Sequence, residues 1–264
     1  SRLDLADEDE LSRFARLYGG TVQRLVSSGL QFFDRAVRQR VDTYDLPNEE
    51  KDRLVYERGA GFTELVSTLV PWLQRRHREH SLHEYIVGVT EGFMEERGIA
   101  QRQPKKPPAI AFLDLTGFTT LVEEQGDEAA AEIASDLASV VQSSRTHGGR
   151  AVKWLGDGVM FHFNDPAAAI RSGLELVEQT EQAISVPARI GINAGAVIVQ
   201  EGDYFGRTVN VAARIADYAK PREVLVSEEA RRNAGEADVE FELVGDVSLK
   251  GVSKSVRLHR ARRV

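Results

Sequence analysis

Cysteine is absent from all 264 residues. That excludes disulfides, thiol nucleophiles and thiolate metal ligands, and it fits a reducing compartment. No apolar run approaches the roughly 20 residues that a membrane-spanning helix needs, and the start shows no signal-peptide pattern. Positive charge is in deficit: 34 Lys and Arg stand against 41 Asp and Glu, a formal charge of −7, which argues against a general nucleic-acid binder. These absences together lead us to expect a cytoplasmic protein without a membrane span. The chain opens on Ser1 rather than methionine, and we read it as a piece of a longer protein. Its length suffices for one large or two modest domains.

Residues 1–100 carry helical patterning. Phe14, Leu17, Val22, Leu25, Val26, Leu30, Phe33 and Val37 recur at helical spacing, and Gly19-Gly20 is expected to break the run. Pro47 marks a boundary, and the acidic stretch after it suits a first helical turn. Ser81 to Glu84 matches a capping box and predicts a new helix toward Met94, stopped by Gly98. QRQPKKPP (101–108) reads as a polar, proline-rich linker. His77, His80 and His83 could suggest a metal site or pH switch, but spacings of three drift around a helix, so we read them as solvated. We place no chemistry in 1–100 and expect a helical bundle there.

The remainder is organised around RAVKWLGDGVMFHF (150–163), two short apolar strands joined at Asp157-Gly158, a dipeptide that favours a two-residue hairpin turn. By itself this makes Lys153 a solvent-facing strand residue and Asp157 a turn former. AIAFLDLTGFT (109–119) changes the weighting. Ile110, Phe112 and Asp114 fall on one face of a strand and Ala111, Leu113 and Leu115 on the other, so the strand is expected to be covered on both sides. A carboxylate there is costly unless compensated. A metal ion is one compensation, with Asp157 as a possible second ligand. The following TGFT runs into a helix whose first N–H groups, near Phe118 and Thr119, can receive an anion. Two carboxylates beside a phosphate cradle suit a magnesium–nucleotide site.

The remaining elements predict strand, helix, helix, strand, strand, helix, strand, helix, strand. Thr120 to Glu123 is a second capping-box candidate, and Asp127 opens an alanine-rich helix. Asp165-Pro166 starts a helix to about Gln182. PARIGINAGAVIVQ (187–200) reads as a strand or hairpin, Arg207 to Ala219 as a helix, and 223–227, 239–243 and 256–259 as strands. This pattern implies an α+β sheet with helices packed on one face.

FLDLTGFT (112–119), KWLGDGVM (153–160), DYFGRTVNVAARI (203–215) and LKGVSKSVRLHR (249–260) resemble, in order and approximate spacing, the class III nucleotidyl cyclases. The resemblance covers about residues 108–264. It implies a ferredoxin-like βαββαβ catalytic domain over 109–264, preceded by the linker and a helical regulatory or dimerisation domain, as in bacterial soluble cyclases. The implied reaction is ATP to cyclic AMP and pyrophosphate in a homodimer. By resemblance, Asp114 and Asp157 hold two Mg2+ or Mn2+ ions, Lys153 and Asp203 read adenine, Asn210 orients the ribose, and Arg214 stabilises charge on the α-phosphate. Phe118 and Thr119 adjoin the phosphates, and Lys250 resembles a lysine that reaches the polyphosphate. Without the family, Asp203 is a turn residue and Arg214 a surface ion-pair partner. A catalytically silent nucleotide-binding module and a guanylyl cyclase are the alternatives; a diguanylate-type cyclase lacks its GGDEF-like signature.

Overall fold

The computed structural model describes residues 7–97, 106–144, 147–200, 203–235 and 238–264. The chain divides into two compact units, Ser1–Gln103 and Pro104–Val264.

The first unit contains α1 (Glu8–Phe33), a π-type turn (Asp34–Arg38), α2 (Gln39–Asp42) and α3 (Asn48–Glu96). Asp7 starts α1 in a reciprocal capping box: its carboxylate accepts from the Glu10 N–H at 2.7 Å, and the Glu10 carboxylate accepts from the Asp7 N–H. The expected break at Gly19-Gly20 does not occur, because α1 runs through both glycines. Each costs roughly 1 kcal/mol against alanine, which 24 other helical positions outweigh. No helix starts at Ser81 either, since α3 is continuous from Asn48 to Glu96 and even passes Pro71. A serine caps only where the preceding backbone leaves the helix, and QRRHRE (74–79) consists mostly of good helix formers. The end of α1 packs on α3, with Phe33 and Phe62 ring centroids 5.4 Å apart, and Gln74 donates to the Tyr18 hydroxyl. His77 is exposed on α3. The side chains of His80 and His83, the stop at Gly98 and most of the 101–108 segment lie outside the described residues.

The second unit begins with β1 (Ala109–Leu115), α4 (Phe118–Gln125), α5 (Asp127–Ser143), β2 (Arg150–Trp154), β3 (Gly158–Phe163), α6 (Pro166–Ala183) and β4 (Ala188–Ala194). It continues with β5 (Ile198–Gln200), β6 (Asp203–Phe205), α7 (Arg207–Tyr218), β7 (Val224–Ser227), α8 (Glu228–Ala234), β8 (Val239–Val247) and β9 (Val256–Arg263). The main sheet runs β2-β3-β1-β4-β7-β9-β8, and among the described residues β5 pairs only with β6. The first four strands have the order of a ferredoxin-like βαββαβ core; β7 joins β4 in parallel and extends it. The 187–200 stretch is therefore two strands in two different sheets, not one hairpin. The short helix α8 and the β5–β6 ribbon were not foreseen in the sequence pattern.

β1 is covered on both faces, as its apolar pattern requires. Ala109, Ala111, Leu113 and Leu115 face α5, α6 and α8 in the larger core, whereas Ile110 joins Met160 and Ala212 of α7 in a second cluster. Helices thus cover both faces of the sheet rather than one. Gly191 makes room for α7: a Cβ there would lie 2.1 Å from the Ala216 nitrogen and 2.6 Å from the Ala212 oxygen. Complete burial of Leu113, Phe161, Ile190 and Ile215 contributes roughly 1.5–3 kcal/mol each to holding these layers together.

α6 starts as expected, with Asp165 accepting from the Ala167 N–H and Pro166 at the first helical position. α4 does not start at Thr120. The Thr116 hydroxyl and amide both donate to the Pro187 carbonyl, at 2.7 and 2.9 Å, and Gly117 then turns the chain so that helix begins at Phe118.

Candidate active site

β1 ends on the carboxylate of greatest interest. Asp114 lies opposite Gly158 on one side and opposite Arg189 of β4 on the other. The β2–β3 connection brings Asp157 beside it, since the Leu115 N–H donates to the Asp157 carbonyl. The turn differs from the expected two-residue Asp157-Gly158 form. Gly156 takes the left-handed conformation (φ 74°), and Gly158 is already the first residue of β3. The Leu155 N–H closes the loop onto the Gly158 carbonyl at 2.8 Å. Glycine before the aspartate accepts the strained conformation, leaving Asp157 free to face Asp114. Burial first, and the Asp114 charge second, push the Asp157 carboxyl above the usual carboxylate range.

Asp114 is not isolated. Arg189 donates from Nη2 and Nε to its Oδ2, at 2.5 and 2.9 Å, and from Nη1 to the Asp217 and Ala219 carbonyls, at 2.8 and 3.2 Å. Sequence reasoning missed this residue. The available signal was a lone cation in the otherwise uncharged, mostly apolar strand ARIGINA. Only the antiparallel register of β1 and β4 shows that it faces Asp114.

Lys153 and Asp203 are 50 positions apart in sequence, yet Lys153 Nζ donates to Asp203 Oδ2 at 2.5 Å. The lysine hydrogen bond holds the Asp203 carboxyl below its ordinary range. The β5–β6 ribbon that carries Asp203 is anchored by its neighbour Tyr204, whose ring lies 4.7 Å from His162 of β3 and whose hydroxyl accepts from Arg150. Trp154, Leu155, Ile198, Val199 and Phe205 flank this pair and are each 45–62% exposed, an apolar margin unusual for a free surface.

Asn210 and Arg214 lie one turn apart on the exposed side of α7, whose opposite side buries Thr208, Val211, Ala212 and Ile215. Arg214 donates to Asp217 at 2.7 Å, and the Asn210 side chain makes no hydrogen bond among the described residues. At the α4 start, the first intrahelical bond runs from the Leu121 N–H to Gly117, so the Phe118, Thr119 and Thr120 N–H groups have no intrahelical acceptor. Phe118 packs on the core and Thr119 is exposed. Lys250 is exposed in the β8–β9 connection, with no hydrogen bond or ion pair to Asp114 or Asp157 among the described residues.

The family model of the adenylate and guanylate cyclase catalytic domain matches residues 100–260. The chain belongs to this cyclase family. A pH-sensitive adenylate cyclase from Mycobacterium tuberculosis is 35% identical over 159 residues, covering 58% of this chain and 40% of that protein. An adenylate cyclase from Streptomyces coelicolor is 37% identical over 120 residues, 45% of this chain and 32% of its own length. The chain therefore spans less than half the length of either relative. An adenylyl cyclase crystal structure from P. aeruginosa shares the fold at 24% identity, with a TM-score of 0.51 over 60% of this chain and 95% of that one.

The cyclase domain's carboxylates fit a divalent cation. Asp114 and Asp157 offer only oxygen, the donor that Mg2+ and Mn2+ prefer. Burial and then repulsion from Asp114 raise Asp157, and a cation at the pair would relieve the repulsion. Asp114 Oδ1 makes no hydrogen bond among the described residues, because both Arg189 bonds go to Oδ2. Among the described residues no group of three or more His, Cys, Asp or Glu side chains could hold a metal, so further ligands to this pair would be backbone carbonyl, water or substrate oxygens.

Proposed function

We propose that this chain converts ATP to 3′,5′-cyclic AMP and pyrophosphate, and that two copies build each active site. The Lys153–Asp203 pair carries the choice of base. A lysine N–H and an aspartate oxygen side by side match adenine, whose N1 accepts and whose 6-amino group donates. Guanine presents the reverse, an N1–H donor and an O6 acceptor, and would leave both side chains mispaired. The adenylate cyclases among the relatives support this reading.

In the proposed reaction the ribose 3′-oxygen forms a bond to the α-phosphorus, the bond from that phosphorus to the bridging oxygen breaks, and pyrophosphate leaves with the electron pair. The 3′-hydroxyl proton passes to solvent. Divalent cations, when bound, lower the pKa of the 3′-hydroxyl and neutralise phosphate charge. Asp114 and Asp157 would hold them. The open N–H groups at Phe118 and Thr119 would accept phosphate oxygens. Asn210 would orient the ribose, and Arg214, exchanging Asp217 for substrate, would neutralise the charge that builds on the α-phosphate. Lys250 would contact the polyphosphate.

The apolar margin around Lys153 and Asp203 supports a second copy as the closing surface. A two-fold axis presents the same patch twice, so the metal carboxylates of one chain would meet the base-reading pair, Asn210 and Arg214 of the other.

The base assignment is tested by kcat/KM for ATP and GTP in the wild type and in the double variant Lys153→Glu, Asp203→Cys. The ATP/GTP ratio is expected to fall by at least about 100-fold, the size of discrimination that mispaired buried groups produce. An unchanged ratio removes these residues from base recognition.

The helical unit is proposed as a regulator. Coupling requires two states of different catalytic competence. Deleting 1–107 should change kcat several-fold at matched dimer concentration; identical specific activity would leave the unit without a regulatory role.

A further inference from the structure

We propose that a cleft between α7, α8 and the β8–β9 pair binds a free amino acid with an aliphatic side chain, at a site distinct from the one proposed for ATP. The cleft has a volume of about 370 Å³, and none of the candidate active-site residues lines it. That volume falls within the roughly 300–1,000 Å³ range of small-molecule sites. It lies beyond the carboxyl ends of β4 and β7, which pair in parallel. α7 packs on one face of the sheet there and α8 on the other. Such crevices are where open α/β sheets place small ligands.

The floor is apolar apart from one group. Ala194, Val211 and Val256 are buried in it, and Asn193 is only 7% exposed. The Asn193 Nδ2 donates to the Thr208 carbonyl at 3.1 Å, which fixes the orientation of the amide. Its Oδ1 makes no hydrogen bond among the described residues. A buried acceptor of this kind costs stability unless a donor meets it.

The rim supplies one unmatched charge of each sign. The Arg207 guanidinium and the Glu229 carboxylate are exposed there, and neither forms a hydrogen bond or ion pair among the described residues. The other charges on the wall are already matched. Arg257 holds Asp246 through two hydrogen bonds of 2.9 Å, and Glu228 accepts from Arg231 and pairs with His259. α7 begins without a side-chain cap, and its first intrahelical bond runs from the Asn210 N–H to Gly206. The Arg207 and Thr208 N–H groups therefore have no intrahelical acceptor.

These groups specify the ligand. Arg207 and the first turn of α7 suit a carboxylate. Glu229 and Asn193 Oδ1 only accept, so they suit an ammonium. The apolar floor suits an aliphatic side chain. A phosphate or dicarboxylate would set further negative charge against Glu229, and a simple amine would leave Arg207 unmatched. Leucine carries all three features.

Calorimetric titration of the full chain with three matched probes tests the assignment: leucine, isoamylamine, which lacks the carboxylate, and isocaproate, which lacks the ammonium. Leucine is expected to bind at least about tenfold tighter than either, the scale of one charge-assisted hydrogen bond. Arg207→Gln should weaken leucine about tenfold and leave isoamylamine unchanged, whereas Glu229→Gln should weaken leucine about tenfold and leave isocaproate unchanged. Both residues are exposed, so both variants should still melt cooperatively. Asp157→Asn, which disables the proposed ATP site, should bind leucine as wild type does. Leucine binding that both variants leave untouched, equal affinity for leucine and isocaproate, or no heat at about 10 mM leucine would overturn the amino-acid site. Displacement of leucine by ATP, or loss of leucine binding in Asp157→Asn, would place leucine in the nucleotide site and overturn the proposal equally.

Discussion

Asp157→Asn is expected to abolish cyclic AMP formation and, in the same sample, to raise the melting temperature of the metal-free protein. The two effects share one cause. Asp157 is partly buried beside Asp114, and both features hold its carboxyl above the ordinary range. A folded-state pKa above the unfolded value means that stability falls as pH rises from the unfolded pKa through the folded one. Above the folded-state pKa the full cost is present, and asparagine removes it. Asparagine also removes the anionic oxygen that a cation needs, so turnover should drop by at least about 1000-fold, the scale on which loss of transition-state charge stabilisation acts. Asp114→Ala should be equally inactive but should melt lower than wild type, because it strands the Arg189 guanidinium without its main acceptor. Opposite thermal shifts with a common loss of activity are the signature; retained turnover in either variant at saturating Mg2+ sinks the assignment.

Mixing two dead variants should restore activity. Asp114→Ala and Asn210→Ala each disable both sites of their own homodimer. In a mixed dimer both lesions fall in one site, where the Asp114→Ala chain supplies the carboxylates and the Asn210→Ala chain supplies α7. The other site is wholly wild type. Random exchange at equal concentrations makes about half the dimers mixed, each with one of two sites intact, so activity should recover to roughly a quarter of wild type. No recovery under conditions that exchange subunits would show that one chain completes a site alone. The exposed Trp154, Leu155, Ile198, Val199 and Phe205 are the surface through which that exchange is expected to occur.

Much of the catalytic unit was legible because its chemistry sits in local patterns. Asp114 stood out as a carboxylate in a strand apolar on both faces, and β1 is indeed covered on both. Asp165-Pro166 announced α6 through a cap that needs only adjacent residues. What could not be read depended on register or on competition between signals. Arg189 meets Asp114 across 75 positions, and no local pattern encodes that pairing. The position of α7 on the second face rests on Gly191, whose missing Cβ is informative only once the helix is seen against it. Ser81 and Thr120 carried valid capping patterns that the surrounding helices overrode. At the hairpin, two glycines flank Asp157, and the left-handed conformation went to Gly156 rather than to Gly158. The candidate residues nonetheless fall into two recognisable groups: carboxylates at the β1 end and the β2–β3 turn, and the Lys153–Asp203 pair with an exposed helix face.

The central claim is that this chain makes cyclic AMP from ATP. Incubating the full 1–264 chain with ATP and Mn2+, at concentrations that favour dimers, and quantifying nucleotide products and pyrophosphate tests it most directly. Cyclic AMP and pyrophosphate are expected in equal amounts, abolished by Asp157→Asn, with GTP a far poorer substrate. Tight ATP binding without cyclic product, or faster formation of cyclic GMP than of cyclic AMP, would contradict it.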